Sequence, residues 1–85
     1  GRYAEAAEAH RKLIAHDAYL EEAHRGLMRC QAALGEPGQA IRHYRGLVEL
    51  LNEELGTSPA PETRTLYESL RRSDKIGSRK SGFLD

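Results

Sequence analysis

Tryptophan is absent, phenylalanine and methionine occur once each, and Cys30 is the lone cysteine of the 85-residue chain. One cysteine excludes an internal disulfide and every cysteine-cluster metal site, and it agrees with a reducing compartment. Valine also occurs once and isoleucine three times, against eleven alanines and eleven leucines. So few β-branched residues among so many good helix formers predict an all-α chain. No run of eighteen apolar residues exists, and the opening Gly-Arg-Tyr-Ala-Glu lacks the apolar stretch of a signal peptide. The chain therefore reads as a soluble, cytoplasmic one. An excess of either charge is missing too, because 13 Lys and Arg face 13 Asp and Glu. A dedicated nucleic-acid module normally carries a basic excess to neutralise phosphates, so only a local basic patch stays open. A domain of this length hides roughly 60–65% of its unfolded surface, which leaves little volume in which to enclose a substrate.

What is present is helical periodicity. Over 3–16, Tyr3, Ala6, Ala7, His10, Leu13 and Ile14 recur at spacings of three and four, with Glu5, Glu8, Arg11 and Lys12 opposite them. The pattern breaks at Asp17-Ala18. A second helix is predicted over about 19–34, marked by Leu20, Ala23, Leu27, Cys30 and Leu34 and closed by Gly35 in a left-handed cap. Pro37 then suits a first helical turn, and Ala40, Ile41, Tyr44, Leu47, Val48, Leu51 and Leu55 line a third helix that Gly56 ends. After the loop Thr57 to Pro61, Glu62 opens a fourth helix with Leu66, Tyr67 and Leu70 as its stripe. Periodicity fades from Ser73. The expected division is a domain over 1–73 and a polar, basic, mobile tail over 74–85.

The chain also repeats itself. A shift of 34 aligns Gly1 with Gly35, Ala6 with Ala40, Ala7 with Ile41, His10 with Tyr44, Leu13 with Leu47 and Ile14 with Val48. These are the turn glycine, the small residue at a close crossing and the bulky stripe that a repeating helical hairpin must hold constant. The period and the residues Ala23, Leu27, Cys30, Gly35, Ala40, Tyr44 and Leu47-Val48 resemble the tetratricopeptide repeat. His24, Met28 and Pro37 depart from it, standing where that family often has Trp, a small residue and an aromatic. The resemblance implies antiparallel helical hairpins of a right-handed α-solenoid, here about four helices. In that register the chain starts mid-repeat and is expected to be the N-terminally incomplete piece of a longer protein. Its first helix is then expected to expose an apolar strip drawn from Tyr3, Ala7, His10 and Ile14.

A closer likeness lies in Leu51-Asn-Glu-Glu-Leu-Gly-Thr-Ser-Pro-Ala-Pro-Glu-Thr-Arg-Thr-Leu-Tyr-Glu-Ser-Leu70, with Glu21 to Met28 and Gln39 to Tyr44 upstream. Together these resemble the bacterial transcriptional activator domain over about residues 1–72. The connection Leu-Gly…Pro-x-Pro-Glu-Thr is its most specific part, since ordinary repeats lack it. The resemblance implies a regulatory, protein-contacting module of a transcription factor of the antibiotic regulatory protein type. Its implied partners are a neighbouring domain, a second subunit or RNA polymerase, with DNA reached only through a separate upstream winged-helix domain. No membrane and no small-molecule substrate are implied. The alternatives are a general tetratricopeptide adaptor for a short acidic peptide, unrelated to transcription, and a sensor module fused to an ATPase or cyclase.

Candidate chemistry is sparse. His10, His16, His24 and His43 offer no pair at the i, i+4 spacing that sets two imidazoles on one helical face, so no metal is expected. Cys30 sits at a closely packed repeat position with nothing to activate its thiolate. No nucleophile triad, phosphate loop or paired carboxylate appears, so no catalysis and no cofactor are expected. Recognition is the remaining option. The family's groove-facing positions fall on Glu22, Arg25, Arg29, Ala32 and Ala33, and Arg25 and Arg29, one turn apart, are placed to clamp an acidic group while the alanines leave room. A competing reading pairs these arginines with Glu21 or Glu22. A second patch gathers Arg71, Arg72, Lys75, Arg79 and Lys80 against the single acid Asp74. It would suit a DNA backbone or an acidic protein surface.

Overall fold

A computed structural model describes the backbone of residues 1–84 and the side chains of residues 1–74. The backbone forms four helices, α1 (Arg2–His16), α2 (Glu21–Ala33), α3 (Pro37–Leu55) and α4 (Pro61–Leu84). Gly35 and Gly56 close α2 and α3 with φ of 81° and 63°, a left-handed region in which any side chain is strained. Pro37 and Pro61 each open a helix, where the missing N–H costs nothing.

Two boundaries differ from expectation. α2 begins two residues late, because Tyr19 N–H donates to Asp17 Oδ1 at 3.0 Å and so belongs to the turn. α4 runs on to Leu84 rather than ending near Ser73. Of the tail expected over 74–85, all but Asp74 lies outside the described side chains.

Successive helices are antiparallel. His10 faces Gly26 between α1 and α2, His24 meets His43 between α2 and α3, and Tyr44 stacks on Tyr67 between α3 and α4 with ring centroids 4.0 Å apart. α2 lies against all three other helices. Its Leu27 and Cys30 form a cluster with Ala7, on which Ala6 and Ile14 pack, while Met28 is wholly buried.

The 34-residue repeat is visible in these neighbours, and so is its limit. His10 of α1 and its counterpart Tyr44 of α3 each lie on the helix that follows, but Leu13 is 48% exposed where its counterpart Leu47 is 2% exposed. α3 has a helix on both sides and α1 only on one. Of the four residues from which an open strip on α1 was expected, only Tyr3 is exposed. Ala7 is buried, Ile14 and His10 are half-buried against α2, and the open side consists of Tyr3 and Leu13.

Candidate functional site

The five residues expected to face a groove all lie on α2, and the structure divides them. Glu22, Arg29 and Ala33 are exposed, while Ala32 and Arg25 are half-buried. Arg25 does not stand free beside Arg29. Its NH1 donates to Thr63 Oγ1 at 2.9 Å, and that hydroxyl donates in turn to Glu21 Oε1 at 2.7 Å. Ala60 N–H donates to the same carboxylate oxygen at 2.8 Å. Thr63, fully buried, uses its one proton and one acceptor site here, so the three side chains satisfy one another.

This network explains the connection that marked the sequence. Residues 56–60 carry the chain from the end of α3 to α4, and Glu21 receives the first exposed amide at the start of α4, where the helix dipole favours a negative charge. Arg25 pairs with Glu21 only through the Thr63 hydroxyl. Of the two guanidinium groups expected to meet an acidic group, Arg25 is engaged within the fold, and Arg29 makes no ion pair among the described residues. Glu21 and Thr63 carried no local signal of this role, because 42 residues separate them.

A second polar contact was hidden for the same reason. His24 Nδ1 and His43 Nε2 lie 2.7 Å apart, and His24 Nε2 is 2.8 Å from the Ala18 carbonyl. A carbonyl only accepts, so His24 Nε2 donates to it, and in the neutral pair His24 Nδ1 accepts from His43 Nε2–H. The imidazoles thus join α3 to α2 and to the turn before it. Burial, then the neighbouring His24, then Arg11 of α1 push the His43 pKa down from 6.5 to about 4. The unfolded chain therefore binds more protons than the folded one between those values, and stability is lost as pH falls through that window. Because His43 is only half-buried, solvent screening reduces the effect to about 1 kcal/mol between neutrality and mild acid. Urea midpoints should fall on acidification in the native chain and fall less in His43→Gln; parallel curves would remove His43 as the cause.

Among the described residues, no group of three or more His, Cys, Asp or Glu is arranged to hold a metal ion. Cys30 is buried in the α1–α2 contact. Of the basic patch, Arg71 and Arg72 are exposed on α4, whereas the side chains of Lys75, Arg79 and Lys80 lie outside the described residues. No described helix is long and apolar enough to cross a membrane.

Comparison with known proteins agrees with this anatomy. No curated protein and no solved structure matches the chain. The family model of the bacterial transcriptional activator domain matches residues 1–71, which takes in all of α1 to α3 and the docked start of α4. The chain belongs to the bacterial transcriptional activator domain family.

Proposed function

We propose that this domain acts as a scaffold in a bacterial transcriptional regulator, holding a neighbouring DNA-binding domain, a second subunit or RNA polymerase through the outer strip of α2. The carrying observation is that α2 packs on all three other helices yet leaves Glu22, Arg29 and Ala33 exposed along one side. Such a strip is rigidly held and chemically open, the combination that a contact surface needs. Arg29 is its cation, and Arg25 acts from behind by fixing α4. The family is regulatory, so the proposed work is binding rather than catalysis, in the cytoplasm where transcription occurs. Arg71 and Arg72 form a separate basic pair that suits an acidic protein surface or a DNA backbone beside the reader domain.

The open Tyr3 and Leu13 side of α1 suits one more helix, because α3 carries a helix on both sides and its equivalent Leu47 is buried. Charge reversal tests the α2 strip. Arg29→Glu is expected to weaken capture of RNA polymerase or of the winged-helix domain of the parent regulator by about tenfold. Unchanged binding to both would dismiss the α2 strip. The adaptor reading predicts instead that Arg29→Glu abolishes binding of an acidic peptide while promoter-dependent transcription is untouched.

A further inference from the structure

The chain is electrically neutral overall but not locally. The α1–α2 turn, the C-terminal end of α3 and the start of α4 meet at one end of the bundle, as the Tyr19 to Glu54 and Ala60 to Glu21 hydrogen bonds show. Residues 16–22 and 53–62, which build that end, contain six Asp and Glu and no Lys or Arg. Five of the six, Asp17, Glu22, Glu53, Glu54 and Glu62, are exposed, and none joins an ion pair among the described residues. Large apolar side chains stand open among them. Tyr19 is 42% exposed, Leu20 37% and Leu55 50%, and the Tyr19 hydroxyl donates to Glu54, the residue before Leu55, at 2.5 Å.

Folding alone accounts for part of this charge. Glu22 and Glu62 occupy first turns, where a helix dipole favours acids. Glu53 and Glu54 do the opposite, since the last turn of α3 favours cations and holds no base. The Tyr19 hydroxyl compensates Glu54 in part, but Glu53 has no hydrogen bond or ion pair among the described residues, and a local rule broken in this way marks a surface shaped by something outside the chain.

We infer that this end of the bundle is a docking surface for a cationic, amphipathic protein segment whose apolar side chains cover Tyr19, Leu20 and Leu55 while its Lys and Arg meet the surrounding carboxylates. Charge complementarity selects the occupant. Nucleic acid and anionic lipid are repelled by the same carboxylates, and a purely polar cation would leave the apolar side chains in water. The surface meets the α2 strip only at Glu22, and the residues varied to test it, Glu53, Leu55 and Leu20, lie outside that strip, so either reading can fail without the other.

The probe is a short synthetic peptide of Lys with Leu at helical spacing, compared with an all-Lys peptide of equal length, titrated into the full chain and read by fluorescence anisotropy. The Leu-bearing peptide is expected to bind about tenfold more tightly, as burial of one or two Leu side chains requires. Glu53→Gln and Leu55→Ser are each expected to weaken it about fivefold, with weakening also at high salt, whereas Glu36→Gln at the opposite end has no effect. Circular dichroism confirms that each variant is folded, and Leu20→Ser repeats the apolar test on a separate segment. Equal affinity for the two peptides, or equal loss in Glu36→Gln, overturns the proposal. So does sedimentation that shows self-association removed by Leu55→Ser, since the occupant is then a second copy.

Discussion

Replacing Thr63 by Val is expected to destabilise the domain by about 3 kcal/mol, enough to lower its melting temperature by about 15 °C. The shape of the residue is kept and only the hydroxyl is lost. That hydroxyl is the shared partner of a guanidinium and a carboxylate, Arg25 NH1 at 2.9 Å and Glu21 Oε1 at 2.7 Å. Hydrogen bonds to charged groups are worth about 1.5–3 kcal/mol, and leaving a half-buried charge unpaired adds its desolvation penalty. Thr63→Ser keeps the hydroxyl and should retain most of the stability. Glu21→Gln keeps an oxygen for Ala60 N–H and should cost less than Thr63→Val, with a coupling of about 1–2 kcal/mol in the double variant. Hydrogen exchange should quicken first along the start of α4, which is held to α2 by these groups. A Val variant as stable as the native chain would show that packing alone holds α4.

The second large effect concerns a glycine in a helix. Gly26 lies inside α2, where Ala normally stabilises by up to about 1 kcal/mol. Here a Cβ would fall within the ring of His10, overlapping Cε1, Nε2 and Nδ1. Gly26→Ala is therefore expected to destabilise by about 2 kcal/mol, because the ring must leave the α1–α2 contact. His10 Nδ1 is buried without a partner, so removing the ring frees an unsatisfied atom as well as space. In a His10→Ala background the same Gly26→Ala change should become stabilising. Gly46, with nothing within 4 Å of its would-be Cβ, is the control. Gly46→Ala should stabilise in either background, and a destabilising Gly26→Ala without His10 would refute the steric account. The pair also clarifies the repeat. His10 finds room because its neighbour is Gly26, whereas the equivalent Tyr44 stacks on Tyr67.

By itself the sequence determined the elements. Leu and Ala at spacings of three and four, Gly35 and Gly56 at left-handed ends, and prolines at first turns are local instructions, and each acts within one or two turns of itself. The repeat of 34 and the Pro-x-Pro-Glu-Thr connection were legible for the same reason, since they are patterns of order along the chain. The family followed from them, and the match over residues 1–71 agrees.

Only the tertiary structure decided which polar groups are spent and which are free. Arg25 and Arg29 look alike one turn apart, but the fold brings Thr63 to the first and leaves the second in solvent. His24 and His43 miss every metal-ligand spacing on a single helix, and the antiparallel packing of α2 and α3 makes them a hydrogen-bonded pair. Leu13 matches Leu47 by sequence, but one is open and the other covered, because burial depends on which helices flank a residue. Balanced composition likewise concealed an acidic end, since charges cancel along a chain and not across a surface. Periodicity prescribes which face of a helix is apolar; what meets that face is settled only when distant segments fold together.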